Sequence, residues 1–243
     1  MVMAEATNHY FKHLGVSDGL SQVCIPSIYQ DELGAVWLGT TEGLNRYNGK
    51  DVKVFQPSES NHGLTNNEIN ELCGDKNGRM YIRSGNDLIK LDIYTEQFTC
   101  LRQKGVYGLF CKKDTLWVSC ADGIYYYTGQ GTELTFFARV QKGFVGRALY
   151  VDRETVWVVT RKYLVAISRE DPLRQEILLT LDKGNCILGD SSGNIWVGAW
   201  NGLYRVSPDR ETTAYVSHSG MGELSDNQVR CVLEDDFKHI WVG

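Results

Sequence analysis

The chain has 243 residues, 42% hydrophobic and 11% aromatic, enough to bury a core, so it does not read as disordered. Its 25 Lys and Arg stand against 30 Asp and Glu, a formal net charge of -5 without any basic run, which excludes a general nucleic-acid binder. No apolar stretch approaches the roughly 18 residues needed to span a bilayer, and MVMAEATNHY lacks the apolar heart of an export signal, so either would lie outside this sequence.

Taken in chain order, the predicted elements are one unit written repeatedly. Each unit centres on an aromatic, Trp37, Tyr81, Trp117, Trp157, Trp196 and Trp241, at steps of 44, 36, 40, 39 and 45 residues. That period matches a four-stranded propeller blade, about 40 to 50 residues. The fold class expected is therefore all-β: a β-propeller of four-stranded antiparallel blades, about five of them complete, in a ring expected to hold seven. Residues 10–14 precede the first repeat and are expected to be the outer strand of the closing blade. Blade 1 is expected over 25–56, blade 2 over 69–101, blade 3 over 107–140, blade 4 over 148–181 and blade 5 over 186–216. Residues 229–243 supply the inner hairpin of a sixth blade, and the chain stops inside that repeat, so a longer protein is expected.

Several columns keep the register. The residues on either side of the central aromatic are apolar, as in Val36 and Leu38 or Ile195 and Val197, and three consecutive apolar residues imply a strand buried on both faces. Asp31, Asp75, Asp190 and Asp235 stand six residues before the aromatic, with Gly34, Gly78 and Gly193 three later. An Asp that accepts from backbone N–H groups two residues on, followed by Gly, makes a tight turn. Gly43, Gly123 and Gly202 open the third strand, where the connecting turn needs positive φ. Gly19-Leu20-Ser21 and Gly63-Leu64-Thr65 lead into blades 1 and 2, and Leu20, Leu64 and Leu224 each lie 17 residues before their aromatic.

The seven Cys form no C-x-x-C pair, and most sit in apolar segments such as VRCVL, where Cys acts as a small buried hydrophobe. The five His show no ligand spacing, and the Asp75 loop lacks the later acidic residue that a calcium loop needs. No metal or cofactor is expected. Glycoside cleavage would need two facing carboxylates; Glu42 and Asp122 sit in equivalent turns, where solvation explains them, and no catalytic residue is assigned. Binding suits the pattern better. Turns between second and third strands gather on one propeller face with the segments leading into each inner strand. There an aromatic face for sugar C–H surface and planar polar groups for hydroxyls point to Trp200, Asn201, Arg161, Tyr163, Glu42 and Asn86 as ligand-binding candidates.

The recurring pattern is carried best by GLSQVCIPSIYQDELGAVWLGTTEGLNRYNG, GLTNNEINELCGDKNG, ILGDSSGNIWVGAWNGLYRV and VRCVLEDDFKHIWVG. It resembles the propeller repeat of two-component regulators, over nearly the whole chain, most strongly in repeats one, five and six. That resemblance implies the periplasmic sensor region of a Bacteroides-type hybrid two-component system, where two seven-bladed propellers precede an immunoglobulin-like domain, a membrane helix and a histidine kinase. It further implies an oligosaccharide ligand and control of glycan-utilisation genes, with membrane contact only through a segment absent here. Self-association through open blade edges is expected as well. The alternatives are a structural or protein-interaction propeller and, least favoured, a glycan-cleaving enzyme.

Overall fold

The computed structural model describes residues 13–57, 63–217 and 224–243. Blade 1 is β1 (Ser27–Gln30), β2 (Val36–Thr40), β3 (Gly43–Tyr47) and β4 (Val52–Phe55); blade 2 is β5 (Ile69–Gly74), β6 (Arg79–Ser84), β7 (Asp87–Asp92) and β8 (Gln97–Arg102). Blade 3 is β9 (Val106–Lys112), β10 (Thr115–Cys120), β11 (Gly123–Tyr127) and β12 (Thr135–Ala138), and blade 4 is β13 (Gly146–Val151), β14 (Thr155–Thr160), β15 (Tyr163–Ser168) and β16 (Gln175–Thr180). Blade 5 is β17 (Cys186–Gly189), β18 (Ile195–Ala199), β19 (Gly202–Val206) and β20 (Thr212–Tyr215), followed by the hairpin β21 (Val232–Glu234) and β22 (Ile240–Val242). Each blade is a four-stranded antiparallel sheet in sequence order. The innermost strands β1, β5, β9, β13, β17 and β21 pack in succession, each against the next. The outer strand expected at residues 10–14 falls largely outside the described residues; His13 and Leu14 carry no strand.

Blades stack through four cores, which explains the doubly apolar second strand. Trp37, Leu44 and Phe55 of blade 1 meet Ile69, Met80 and Ile82 of blade 2. Tyr81 and Leu88 then meet Val106, Leu116 and Val118; Trp117 and Ile124 meet Leu149, Val156 and Val158; Trp157 and Leu164 meet Ile195, Val197 and Val206. Blades 2, 3 and 4 thus bury both faces without a helix layer. Trp241 of the hairpin is 62% exposed, unlike its counterparts.

The Asp column does more than shape a turn. Asp31 Oδ1 accepts the N–H groups of Leu33 and Ala35, and its Oδ2 accepts the Trp37 indole N–H at 2.8 Å. The same indole–carboxylate bond joins Trp157 to Asp152 at 2.6 Å, Trp196 to Asp190 at 2.8 Å and Trp241 to Asp235 at 2.8 Å. Where Tyr81 replaces Trp, Asp75 pairs instead with Arg79. Turn and core aromatic are one hydrogen-bonded unit. Burial alone would raise the Asp190 carboxyl, but donation from Trp196 and Asn194 outweighs it and holds the group below its ordinary value. At Asp235 the Trp241 indole, followed by His239 and Phe237, brings the carboxyl down to about 2. A depressed folded-state carboxyl stabilises fully above its unfolded value of 3.8, and that stabilisation is lost as pH falls through the folded value. The thermal midpoint is therefore expected to hold above about pH 4 and fall steeply towards pH 2, with Asp190→Asn flattening part of the fall in a pH series of melts.

Gly39, two residues after Trp37, carries a packing requirement that periodicity does not show. A Cβ there would lie 2.9 Å from the Ile69 carbonyl oxygen and 2.8 Å from its Cγ2, so only glycine lets the inner strand of blade 2 approach β2. Gly39→Ala is expected to destabilise by about 1–3 kcal/mol in urea unfolding, because a backbone atom cannot yield. The Gly-Leu-Ser lead-in is equally structural. Leu20 and Leu64 are buried, Ser21 bonds Asn45 and Thr40, and the Asn66 backbone exchanges two bonds with the Ser84 hydroxyl. One cysteine expectation is corrected: Cys24 and Cys231 are exposed, since both sit in the segments just before β1 and β21 rather than between sheets.

Candidate functional site

Turns and lead-in segments share a face, and backbone bonds tie them together. Gly85 N–H donates to Glu68 O at 2.7 Å, Val106 N–H to Asn86 O at 3.0 Å, Leu181 N–H to Lys162 O at 2.7 Å and Gly184 N–H to Arg161 O at 3.1 Å. A buried hydroxyl three residues past the aromatic shapes several of these turns. Thr40 Oγ1 donates to Gly43 O and accepts from Glu42 N–H, while Thr160 Oγ1 accepts from Lys162 and Tyr163. Rigid sheets thereby hold variable side chains at fixed positions.

From this face an axial cavity of about 780 Å³ runs down between the inner strands. Its wall is polar and planar: Asn66, Asn70, Asn86 and Asn185 supply amides, with Glu71, Arg83, Tyr107, Arg147 and Arg230 among them. Glu71 lies on β5, where it accepts from Arg83 Nε at 3.2 Å and from the Leu109 N–H at 3.1 Å. Burial pushes its carboxyl above the ordinary range, and Arg83 and the Leu109 N–H offset part of that. A second cavity, about 350 Å³, opens beside the first between blades 3 and 4, walled by Tyr107, Phe144, Arg147, Thr160, Arg161 and Lys162. Tyr107 and Arg147 belong to both. Burial pulls the Arg147 guanidinium below its ordinary value, and the neighbouring charges of Arg161 and Arg83 pull it further.

The sequence-derived candidates divide between these places. Asn86 lines the axial cavity and Arg161 the smaller one. Tyr163 is half-buried, its ring 4.9 Å from Phe144, so it backs the smaller cavity's wall. Glu42 is exposed in the blade 1 turn and lines neither cavity; its carbonyl accepts from Gln56 Nε2. Trp200 is 41% exposed and also lines neither: the Lys183 ammonium covers its ring at 3.5 Å. Asn201 is engaged as a turn residue, its Oδ1 accepting from Asp182 N–H at 3.0 Å.

Arg147, Tyr107, Glu71 and Arg230 are the lining residues that pattern reading misses, because the repeat columns lie on the second and third strands. A signal for them exists. A charge in the middle of an inner strand, as in INELCG or GRALYV, costs free energy unless it meets a partner or the axial space. Of the turn carboxylates, Asp122 is bonded to Arg102 at 2.7 Å and to the Tyr125 hydroxyl at 2.8 Å. Among the described residues no group of three or more His, Cys, Asp or Glu could hold a metal ion, and no helix is long and apolar enough to cross a membrane.

No family profile matches the chain. Over 53 residues it is 40% identical to histidine kinase P4 of Formosa agariphila, a match that spans 22% of this chain and 4% of that protein. Its fold is similar to the extracellular domain of a hybrid two-component system from B. thetaiotaomicron, at TM-score 0.75 and 20% identity, covering 96% of this chain and 40% of that one. A second extracellular domain from B. thetaiotaomicron, of a one-component system, gives TM-score 0.55 and 19% identity over 90% of this chain and 37% of that one. Virginiamycin B lyase from Staphylococcus aureus is similar at TM-score 0.69 and 11% identity, over 90% of this chain and 77% of the enzyme. The chain thus spans less than half of the extracellular domains it resembles. At such identities the likeness establishes the propeller fold, while function is argued from the site.

Proposed function

We propose that the chain is the periplasmic, ligand-sensing propeller of a hybrid two-component histidine kinase, and that it recognises an oligosaccharide at the axial mouth. The observation that carries this reading is the cavity of about 780 Å³ walled by four asparagines, arginines and Tyr107. Amides and guanidinium forks bond vicinal hydroxyls in their own plane, and an aromatic wall covers the C–H face of a sugar ring. Likeness to the extracellular domain of a hybrid two-component system supports the signalling role. The mouth holds two carboxylates, Glu68 and Glu71, and because Glu71 is ion-paired with Arg83 this reading gives them to the binding wall rather than to glycoside cleavage. A sensor of this kind shifts its receptor only by binding one state better than another, and glycan-utilisation genes are the output this reading assigns.

Calorimetric titration of the full-length extracytoplasmic region against oligosaccharides of varied composition tests the reading. At least one saturable ligand with no release of reducing ends is expected. Silence across the panel would leave the scaffold alternative standing, and liberated reducing ends would establish an enzyme. One observation favours contact between copies as well: Leu233, Phe237 and Trp241 are 62%, 81% and 62% exposed together on the hairpin. Sedimentation of wild type against Phe237→Asp would show whether that surface self-associates.

A further inference from the structure

The mouth concentrates cations in one concave place. Away from it some arginines stand beside carboxylates, Arg46 with Glu96, Arg79 with Asp75 and Arg102 with Asp122, and others, such as the exposed Arg153 and Arg169, form no ion pair among the described residues. Around the two joined cavities, Arg147, Arg161, Lys162 and Arg230 have no carboxylate within salt-bridge distance among the described residues. Two acids line the larger cavity. Glu71 is neutralised by Arg83, and Glu68 is exposed and forms no ion pair among the described residues. A chain of net charge -5 therefore gathers excess positive charge at one concave place. Like charges held together without counter-ions destabilise the empty site, and an anionic ligand relieves that repulsion.

We propose that the oligosaccharide recognised here is acidic, with a uronate carboxylate or a sulfate ester seated between Arg147 and Arg161 and a sugar ring laid along Tyr107 and Phe144. The inference rests on the sensor reading above. Planar guanidinium forks match carboxylate and sulfate oxygens bidentately, a geometry that lysine does not reproduce. Tyr107 and Phe144 supply the apolar wall beside the charge, in the smaller cavity that both arginines line.

The test titrates the full-length protein with galacturonate oligosaccharides, a sulfated hexosamine disaccharide, neutral gluco-oligosaccharides of matched length and inorganic sulfate. One of the acidic saccharides is expected to bind at least about 10-fold more tightly than the neutral ones, and which of the two does so identifies the group. Arg147→Lys and Arg161→Lys are each expected to weaken it about 10-fold with an unchanged thermal midpoint, and Glu68→Gln to strengthen it. Neutral sugars bound as tightly, and indifferent to both arginine variants, would overturn the acidic assignment while leaving the sensor reading intact. Binding of inorganic sulfate alone would also overturn it. No saccharide binding at all would remove the sensor reading itself.

A separate observation lies between blades 2 and 3. Cys73 on β5 and Cys111 on β9 bring their Sγ atoms to 3.3 Å, both half-buried and both thiols. We infer that this pair is an oxidisable cross-link. A disulfide bond is about 2.05 Å long, so closure needs a movement of roughly 1 Å. A glutathione disulfide would serve as oxidant: one cysteine thiolate displaces glutathione as a thiolate, the second cysteine displaces the other, and two glutathione thiols leave with the two protons and two electrons. Non-reducing peptide mapping after incubation with oxidised glutathione is expected to give one peptide joining Cys73 to Cys111, absent in Cys73→Ser. Complete alkylation of both cysteines after that treatment, on unfolding without reductant, would overturn it.

Discussion

Trp37→Ala is expected to destabilise the chain by about 3–5 kcal/mol, the range for emptying a large buried aromatic site. Trp37 is fully buried, stacks on Phe55 at 5.7 Å, lies 5.5 Å beneath the Arg46 guanidinium and donates its indole N–H to buried Asp31. Truncation opens a cavity between blades 1 and 2 and removes one of three donors that solvate a carboxylate hidden from water. Trp37→Phe, which keeps most of the packing and loses the bond, should cost about 1–2 kcal/mol. Trp241→Ala is the informative contrast. It removes the same bond to Asp235, but from a side chain 62% exposed, so a loss below about 1 kcal/mol is expected. Urea unfolding of the three variants separates burial from hydrogen bonding in one repeat column.

Glu71→Gln is the second large effect, and it acts on stability and recognition in opposite directions. The carboxylate answers the partly buried Arg83 guanidinium and the Leu109 N–H on the neighbouring inner strand, so it ties blade 2 to blade 3. The amide keeps one acceptor but no charge, and the guanidinium is left without its counter-ion; a loss of about 2–3 kcal/mol is expected in chemical denaturation. The same change adds one net positive charge to the axial wall. If the ligand is acidic, its dissociation slows and its affinity rises; a neutral ligand gains nothing.

Sequence reading recovers the repeat because propeller blades impose the same constraints at the same offsets. Trp37, Trp117 and Trp157 must each fill an inter-blade core, and Asp31 and Asp190 must each hold a turn; those requirements leave residues behind in columns. Gly39 shows the limit. Its column is visible in WLG and WVG, but its cause, contact with the next blade's carbonyl at Ile69, is a tertiary relation that no period encodes. The candidate site was only partly legible. Asn86 and Arg161 stand in turns that repeat comparison marks as free to differ, and the structure puts both on cavity walls. Trp200 offers an aromatic face in its turn, yet Lys183 covers it, and Asn201 is taken up by its own turn. Arg147 and Glu71 went unmarked because inner strands read as core, and only the ring-like placement of those strands turns an isolated charge towards an axial space.

Hydrogen–deuterium exchange with and without the saccharide that saturates the protein tests the central claim most directly. Slowed exchange is predicted in the segments that wall the mouth, residues 64–71, 85–86, 105–109 and 144–148, with the turn at 200–201 unchanged. Protection confined to the opposite face, around the Asp31, Asp152 and Asp190 turns, or absent from the mouth while ligand is bound, would contradict the account.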